Sequence, residues 1–346
     1  MCAIVLANKG KELPMSDGRV TADDVARKAG VSRATVSRTF SRGHSVQEQT
    51  RQRILKAAAD LGYQPNALAQ ALTSRRSQIV SILMGELKNP IHAVLHQSIS
   101  MALQEKNFIP ISGQIGVDSD ADKLIATFRQ YQVGVVILTS MNIPPGLIGD
   151  LHKAGLQVLL LNRIDDDEIT ASVCADLTQG GALAARHLAE RGCTSVAVAK
   201  GPAGHWTSAA RFAGHLAGLE RMGLQPAKIL EGGYTYADGA RVANALLAGG
   251  GGLPEGVLCP NDLFAIGLMD RLRAGAGLRF PEDMRVVGFD DIPMAEWESN
   301  QLTTIRLPVH SMAKRATDVI SRILVDEETV EEKIWIPCRL IERGSA

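Results

Sequence analysis

Arginine side chains crowd one short segment, TADDVARKAGVSRATVSRTFS, at residues 21–41. Arg33 and Arg38 fall on the side of a predicted helix opposite Val36 and Phe40, so both are expected to point outward. A bidentate arginine–guanine pair contributes about 1–3 kcal/mol of discrimination between bases. Several residues with hydroxyl side chains lie at positions from which hydroxyls and helix N-termini can contact DNA phosphates. They are Thr21, Ser32, Thr35, Ser37 and Thr50.

Two short predicted helices would position these arginines. Thr21 has Asp24 three residues later, which is the spacing of a capping box, with Asp in place of Glu. Gly30 is suited to the backbone conformation that ends a helix. Ser32 is the predicted cap of the second helix, which runs to about Phe40.

A third helix is predicted to open at Ser45, with Glu48 as its capping-box partner, and to stop at Gly62. Three helices with a tight glycine turn between the first two make a helix-turn-helix. The outer face of the second helix would then enter a major groove.

The charge of the chain is unevenly distributed, although its formal net charge is zero. Residues 16–78 contain 11 Lys and Arg against 5 Asp and Glu, a formal charge of +6. Residues 79–346 contain 24 against 31, a formal charge of −7. A basic head on an acidic body favours a polyanion as the partner of the head.

Composition indicates the cellular compartment. The five cysteines are far apart and form no CxxC pair, which favours a reducing cytoplasm over a disulfide framework or zinc site. No apolar run approaches the roughly 18 residues of a membrane span. We interpret residues 1–18 as a leader, disordered or a start-site artefact with Met15 as a second candidate start, and it lacks the basic opening of a secretory signal.

From Ile79 onward, short apolar runs alternate with amphipathic helical patterns, which predicts an α/β body of parallel sheets covered by helices. Each run ends in a loop with Gly, Asn or Asp, where open α/β sheets bind ligands. No GxGxxG motif or P-loop follows a run, so no nucleotide cofactor is predicted. The predicted strands are IVSILM, FIPIS, VGVVIL, VLLLN, SVAVAK, GVLCP and MRVVGFDD.

Other chemically suggestive features favour no enzyme and no metal site. The acidic run Asp165–Glu168 lacks the spacing of a calcium-binding loop and is interpreted as a solvated turn. No Ser-His-Asp set stands at identifiable motif spacing. His187 and His215 lie within helical patterns, where we expect them to be structural or exposed.

The N-terminal segment closely resembles the head of the LacI/GalR (lactose-repressor) family of bacterial transcription regulators. The motifs DVARKAGVS, TVSR and LGYQPN occur in the family's order and spacing, and the resemblance covers essentially the whole chain after the leader. It implies that Arg33 and Ala34 are specificity positions, that Arg38 is a more general base contact, and that Asn66 also contacts DNA. Ala34 has no hydrogen-bonding group, so specificity there comes from a thymine methyl contact or from Arg33 alone.

Residues 65–78 are either a flexible linker or, as the resemblance implies, a hinge helix that orders only when two chains meet on DNA. In the second case Leu72 would wedge into a minor-groove base step and kink the duplex. Because ordering costs free energy on binding, the body could control DNA affinity by moving the two hinge starts apart.

The resemblance makes residues 79–346 similar to a periplasmic sugar-binding protein of two α/β lobes, following a helix-turn-helix domain at residues 19–64. The N-lobe is expected at about 79–175 and 305–333, and the C-lobe at about 176–304 and 334–346. The chain would cross between lobes near Ala175, Thr304 and Trp335.

Residues that the resemblance transfers onto the cleft form a sugar-binding constellation. Taken singly, Asp290 could cap a loop and Arg211 could lie on a helix surface. Together, carboxylate and amide groups suit vicinal hydroxyls, arginine makes forked bonds, and tyrosine covers a ring face. His92, where family members commonly carry an aromatic, favours a polar or anionic ligand such as a sugar acid. The set is Ile91, His92, Asn162, Thr207, Arg211, Tyr234, Asn261 and Asp290.

The sequence therefore predicts a cytoplasmic, nucleoid-associated repressor that binds a palindromic operator as a homodimer, with a tetramer left open. Its effector would be a sugar or sugar acid acting as inducer, with purine-type corepression as the alternative. Two other classes stay open: a solute-binding module or sugar-modifying enzyme with an unrelated basic arm, and an architectural DNA-binding protein without an effector.

Overall fold

The computed structural model describes residues 20–40, 46–63, 77–85, 87–139, 142–164, 169–250 and 252–346. The chain divides into two compact units, Met1–Arg76 and Ser77–Ala346. The predictions for the leader, for Ser45, for Asn66 and Leu72 of the hinge, and for the run at 165–168 fall outside the described residues.

The described part of the first unit packs three helices around a small apolar core. These are α1 (Ala22–Ala29), α2 (Arg33–Phe40) and α3 (Glu48–Leu61). Phe40 contacts Tyr63 edge-on, with ring centroids 5.8 Å apart. The buried core comprises Val25, Ala26, Ala29, Val36, Ile54, Ala57 and Ala58.

Local signals fix the ends of α1 and the start of α2. The predicted capping box is present, with the Thr21 amide donating to Asp24 Oδ2 at 2.9 Å and the Asp24 amide donating to Thr21 Oγ1 at 3.4 Å. Gly30 ends α1 with φ of +64°, a conformation that a residue with a Cβ rarely adopts. Ser32 Oγ accepts from the Thr35 amide at 3.2 Å. These three predictions are confirmed.

The start of α3 differs from the prediction. The helix begins at Glu48 with Gln47 as its N-cap, and Gln47 makes no side-chain capping bond. The ψ of 134° at Gln47 keeps that residue out of the helix, so the N-cap seen in the structure lies two residues after the predicted one. The predicted end is confirmed, because Gly62 has φ of +66°.

The second unit contains two sheets. The chain first forms β1 (Ile79–Met84), α4 (Pro90–Glu105), β2 (Ile109–Gln114), α5 (Ala121–Gln130), β3 (Val135–Leu138), α6 (Leu147–Lys153), β4 (Gln157–Leu161) and β5 (Ala171–Asp176). It continues with α7 (Leu177–Glu190), β6 (Val196–Lys200), α8 (Trp206–Arg221), β7 (Lys228–Glu231), α9 (Tyr236–Ala248), β8 (Gly256–Leu258), α10 (Asp262–Ala276) and β9 (Arg285–Asp290). The last part is a 3₁₀ turn (Pro293–Glu296), β10 (Thr303–Arg306), α11 (Val309–Leu324), β11 (Lys333–Pro337) and β12 (Arg339–Ile341).

Each sheet forms one lobe. The first-lobe sheet has the order β11-β5-β4-β3-β1-β2, and all its pairings are parallel. The second-lobe sheet has the order β12-β10-β9-β8-β6-β7, and it is parallel except for the antiparallel pairing of β12 with β10. The predicted fold class, a helix-turn-helix head with a two-lobed parallel α/β body, is confirmed.

The crossings between lobes lie later than predicted. The chain leaves the first sheet after Asp176 and leaves the second after Arg306. Trp335 lies within β11, paired with Cys174 in the first sheet, so the third crossing follows Pro337. Strands β5, β7, β10, β11 and β12 were not among the predicted runs, because they are short or contain polar residues.

Helices α7 and α8 pack unusually close together in the second lobe. A Cβ placed on Gly214 would lie 2.3 Å from the Thr178 carbonyl oxygen, and one on Gly181 would lie 2.6 Å from the Arg211 carbonyl oxygen. Both obstacles are helix backbone, which cannot move aside like a flexible side chain. The two glycines therefore set the position of Arg211 relative to α7.

None of the helices within these ranges is both long and apolar enough to cross a membrane.

We expect Gly214→Ala to destabilise the second lobe by about 1–3 kcal/mol or more, because the helices must separate to admit the methyl group. Equilibrium urea unfolding measures the effect. The matched control is Gly149→Ala in α6, an exposed helical glycine with no atom within 4 Å of the added Cβ. There, alanine should be neutral or stabilising by up to about 1 kcal/mol. Equal effects of the two substitutions would contradict the close-approach argument.

Candidate functional site

The exposed face of α2 carries the predicted base-contacting residues. Arg33, Ala34, Ser37 and Arg38 are exposed, whereas Val36 is fully buried against α1 and α3. The face predicted to be outward is therefore outward. Arg33 forms a solvent-exposed ion pair with Asp23 at 3.5 Å, and Arg38 Nε donates to the Ala34 carbonyl at 3.3 Å. Such exposed contacts are weak, so both guanidinium groups can exchange them for contacts to DNA.

Hydroxyl groups predicted to hold phosphates lie near the helix starts. Ser32 and Thr35 share a hydrogen bond of 2.9 Å at the start of α2, and Thr50 lies in the first turn of α3. Thr21 Oγ1 donates to Asp24 Oδ2 at 2.7 Å, so the primary role visible for this hydroxyl is the α1 cap.

A buried ion pair dominates the second-lobe part of the effector site. Arg211 Nη2 donates to Asp290 Oδ1 at 2.7 Å, and Nη1 donates to the Pro260 carbonyl at 2.7 Å. Its guanidinium carbon lies 4.3 Å from the centre of the Phe289 ring. Burial alone would lower the pKa of Arg211, but the charge of Asp290 and the hydrogen bond to it raise that pKa overall. The surface-helix interpretation of Arg211 is thereby excluded.

Asp290 is held in an uncommon backbone conformation at the end of β9. Its φ of +114° is rare for a residue with a side chain, and its side chain is almost fully buried. The neighbouring carboxylate turns elsewhere: Asp291 pairs with Arg306 at 2.5 Å and with Arg343 at 2.8 Å. The two adjacent acids therefore have separate roles, one toward Arg211 and one tying β9 to β10 and the C-terminal segment.

Thr207, Tyr234 and Asn261 form a hydrogen-bonded group in the second lobe. The Thr207 and Tyr234 hydroxyls are 3.3 Å apart, and Asn261 Nδ2 donates to the Tyr234 carbonyl at 2.9 Å. Asn261 also caps α10 by accepting from the Phe264 amide at 2.9 Å. Half of the hydrogen-bonding capacity of the Asn261 side chain is therefore used within the protein, which leaves one amide hydrogen and one oxygen lone pair for a ligand.

The residue after Asn261 supports the site from behind and was not among the predicted site residues. Asp262 is fully buried and accepts from the Ile292 amide at 2.8 Å and from Thr304 Oγ1 at 2.5 Å. Burial and the nearby charge of Asp290 raise its pKa well above the usual range. Gly288 permits this packing, since a Cβ there would lie 2.2 Å from Asp262 Oδ1.

The first lobe contributes Asn89, which the prediction also missed. Asn89 caps α4 by accepting from the Ile91 amide at 3.2 Å, and its Nδ2 donates to Asp290 Oδ2 at 3.1 Å. The dipeptide Asn89-Pro90 is a local signal for a helix cap, but only the fold brings it to Asp290. We call Asn89, His92, Arg211 and Asp290 the interlobe site.

Three other first-lobe residues were predicted to bind the effector, and the structure places each of them differently. Burial lowers the pKa of His92, with Asp290 raising it and Arg211 lowering it further, so His92 lies close enough to sense both charges. The Ile91 side chain packs into the apolar core, and its amide donates to Asn89 Oδ1. Asn162 has φ of +56° at the end of β4, and its buried Oδ1 has no hydrogen-bond partner among the described residues.

Two histidines predicted to be structural or exposed are buried. His215 lies one turn after Arg211, and neither ring nitrogen has a hydrogen-bond partner in the described part of the chain. Burial first, and the charge of Arg211 second, lower the pKa of His215 to about 3. His187 is also buried, which lowers its pKa.

A separate surface cavity of about 500 Å³ lies between α7 and α8, and none of the predicted effector residues lines it. Within the described ranges, no group of three or more His, Cys, Asp or Glu side chains is arranged to hold a metal ion.

Both units of the chain are similar to known protein families. Residues 21–66 match the family model "Bacterial regulatory proteins, lacI family", and residues 185–346 match "Periplasmic binding protein-like domain". The "Ribose operon repressor" of Lactococcus lactis is 26% identical over 325 residues, which cover 93% of this chain and 97% of that protein.

Two solved structures are similar over nearly the whole chain. A lac repressor dimer bound to operator and the anti-inducer ONPF has a TM-score of 0.80 at 25% identity, covering 94% of this chain and 99% of that one. A complex of the transcriptional regulator CelR with cellobiose has a TM-score of 0.71 at 26% identity, covering 95% and 100%.

We expect acid to destabilise the protein partly through His215. The unfolded state binds a proton below the ordinary pKa of about 6.5, whereas the folded state does not until about pH 3, so stability falls as the pH drops below about 6.5. The loss from this residue between pH 7 and pH 5 is about 2 kcal/mol. Denaturant unfolding of His215→Leu should show a correspondingly shallower pH dependence, whereas His310→Leu, at an exposed histidine, should retain the wild-type slope. If the pH dependence of stability were the same in His215→Leu as in the wild type, the contribution assigned to the lowered pKa of His215 would be refuted.

Proposed function

We propose that this chain, which is similar to the LacI family of bacterial regulatory proteins, is a DNA-binding transcriptional repressor controlled by a small polyhydroxylated molecule. It binds a palindromic operator as a homodimer. The effector, a sugar or sugar acid, binds between the two lobes and changes operator affinity. This control acts as a difference in effector affinity between DNA-competent and DNA-incompetent states, typically about 1–3 kcal/mol.

The exposed, basic face of α2 is the observation that carries the DNA-binding part. A buried Val36 holds the helix against α1 and α3, so Arg33 and Arg38 are presented on a rigid element. In a helix-turn-helix this face enters the major groove, and each arginine can read a guanine. We propose Ala34 as a contact to a thymine methyl, and Thr21, Ser32, Thr35, Ser37 and Thr50 as phosphate contacts.

The hinge is the proposed link between DNA and effector. We propose that Asn66 contacts DNA and that Leu72 enters a minor-groove step when two hinges order together. The similar lac repressor structure is a dimer bound to operator, which supports a dimeric arrangement for this chain.

The chemistry of the interlobe site favours a ligand with several hydroxyl groups. Asp290 retains lone pairs beyond those used by Arg211 and Asn89, and Asn162 offers a buried carbonyl oxygen that no described residue hydrogen-bonds. Arg211 contacts Asp290, Tyr234 lies beside Arg211, and His92 adds a group suited to an acidic substituent. We propose Thr207 and Asn261 as further members of the site, with Ile91 supporting it through the bond from its amide to Asn89. The solved CelR complex contains cellobiose, a molecule of the proposed class.

The effector can act in either of two ways under this function. An inducer lowers operator affinity, and a corepressor raises it. The proposed function assigns the chain no enzymatic activity, since its relatives are regulators. It places the protein in the cytoplasm with chromosomal DNA.

Selection of duplexes from a genomic library should recover an inverted repeat bound by the full chain. We expect Arg33→Ala to reduce the preference for that repeat over scrambled DNA roughly 5- to 150-fold, as one lost bidentate contact predicts. Fluorescence anisotropy at fixed salt measures it, with Arg279→Ala on the second unit as the control for losing one positive charge. Wild-type binding should weaken steeply with salt, with a slope of about −0.9 per neutralised phosphate. No preference for any inverted repeat would refute the proposal.

A thermal-shift screen against sugars and sugar acids tests the effector. A true effector at about 100 times its Kd adds about 3 kcal/mol, or roughly 5–10 °C in Tm for a unit of this size. Asp290→Asn, which keeps the shape and removes the charge, should abolish the shift. Asp283→Asn, an exposed aspartate paired with Arg279, should retain it. A shift that survives Asp290→Asn would place the ligand elsewhere.

A further inference from the structure

The interlobe site contains a direct hydrogen bond between the lobes. Asn89 Nδ2, at the start of α4 in the first lobe, donates to Asp290 Oδ2, at the end of β9 in the second, over 3.1 Å. The two residues are 201 positions apart in the chain. Such a bond exists only while the two lobes are close, so it reports and restrains their separation.

The Asn89 side chain is fixed in the orientation that makes this bond. Its Oδ1 accepts from the Ile91 amide at 3.2 Å as the cap of α4, and Pro90 occupies the first turn. Because the oxygen is committed to the helix end, the NH₂ group must point away from it, toward Asp290. The capping bond therefore orients the Asn89 amide so that its NH₂ group, and not its oxygen, points toward the second lobe.

The acceptor is fixed as well. Asp290 Oδ1 is held by Arg211 Nη2 at 2.7 Å, the carboxylate is almost fully buried, and the backbone is in a conformation with φ of +114°. Arg211 is itself anchored to the Pro260 carbonyl at 2.7 Å. The carboxylate therefore cannot turn to follow Asn89 if the lobes separate, and a small movement breaks the bond.

We propose that Asn89 is a positioning residue: its bond to Asp290 is a latch that sets the distance between the lobes, and thereby the affinity for DNA. This inference rests on the proposed function only for its effect on DNA binding. An effector hydroxyl that donates to Asp290 Oδ2 competes with Asn89 for the same oxygen. Effector binding and latch opening are then coupled.

The test uses two variants that keep the helix cap. Asn89→Ser retains a good N-cap but is too short to reach Asp290, and Asn89→Asp retains the cap while placing a second carboxylate beside the first. The control is Asp120→Ser, which exchanges one capping residue for another at α5, where Asp120 Oδ1 accepts from the Lys123 amide at 2.9 Å.

The chain offers an internal reporter of lobe separation. Trp206 at the start of α8 and Trp335 in β11 belong to different lobes, and their rings lie 5.7 Å apart. The third tryptophan, Trp297, is exposed, so a Trp297→Phe background leaves only the interlobe pair. Opening of the lobes changes the environment of that pair and therefore its emission.

Full-length variants are measured without effector, by tryptophan emission and by affinity for the selected operator duplex at fixed salt. We expect both Asn89 variants to change emission and to shift operator affinity in one common direction, about 3-fold for Asn89→Ser and about 10-fold for Asn89→Asp, with Asp120→Ser unchanged. Emission and affinity equal to the control in both Asn89 variants would overturn the latch. If the wild type binds no operator, the proposed function fails, while emission still decides whether Asn89 sets the lobe distance.

Discussion

The buried ion pair between Arg211 and Asp290 is the interaction on which the second lobe and its site depend. Removing two charges from water costs several kcal/mol each, and their attraction offsets this only with good geometry and further hydrogen bonds. Here Arg211 Nη2 lies 2.7 Å from Asp290 Oδ1, and the Pro260 carbonyl accepts a hydrogen bond from Nη1 of the same guanidinium group. The Phe289 ring covers the cation. The close approach of α7 and α8 at Gly181 and Gly214 holds the helix that carries Arg211.

The buried pair of Arg211 and Asp290 accounts for two energetically unfavourable buried groups nearby, His215 and Asp262. His215 is buried one turn from Arg211, its ring nitrogens have no hydrogen-bond partner among the residues that the structure describes, and the same cation helps keep it uncharged. Asp262 is buried behind Asp290, where burial and the charge of Asp290 raise its pKa. Functional sites commonly concentrate such perturbed groups, because polar ligands need fixed polar partners. The strain at Asp290 belongs to the same arrangement.

The head uses arginine in the opposite way. Arg33 and Arg38 are exposed and make only weak contacts within the protein, while a few buried side chains hold α2 in place. A buried arginine fixes the geometry of a site, whereas an exposed one stays available for a partner. Both uses fit the similarities of the chain, since residues 21–66 match a bacterial regulatory family and residues 185–346 match a periplasmic binding protein-like domain.

The sequence by itself determined the elements whose signals are local. The Thr21–Asp24 capping box, the Gly30 turn, the outward face of α2 and the apolar runs such as β1 are set by neighbouring residues, so spacing and residue type were sufficient. Resemblance supplied the effector residues, of which the structure brings Arg211 and Asp290 together and places Ile91 in the core. Only the tertiary structure decided the contact between Asn89 and Asp290, the late crossing after Pro337 and the burial of His215. Each of these depends on segments far apart in the chain, and no local pattern records which distant backbone a side chain will meet.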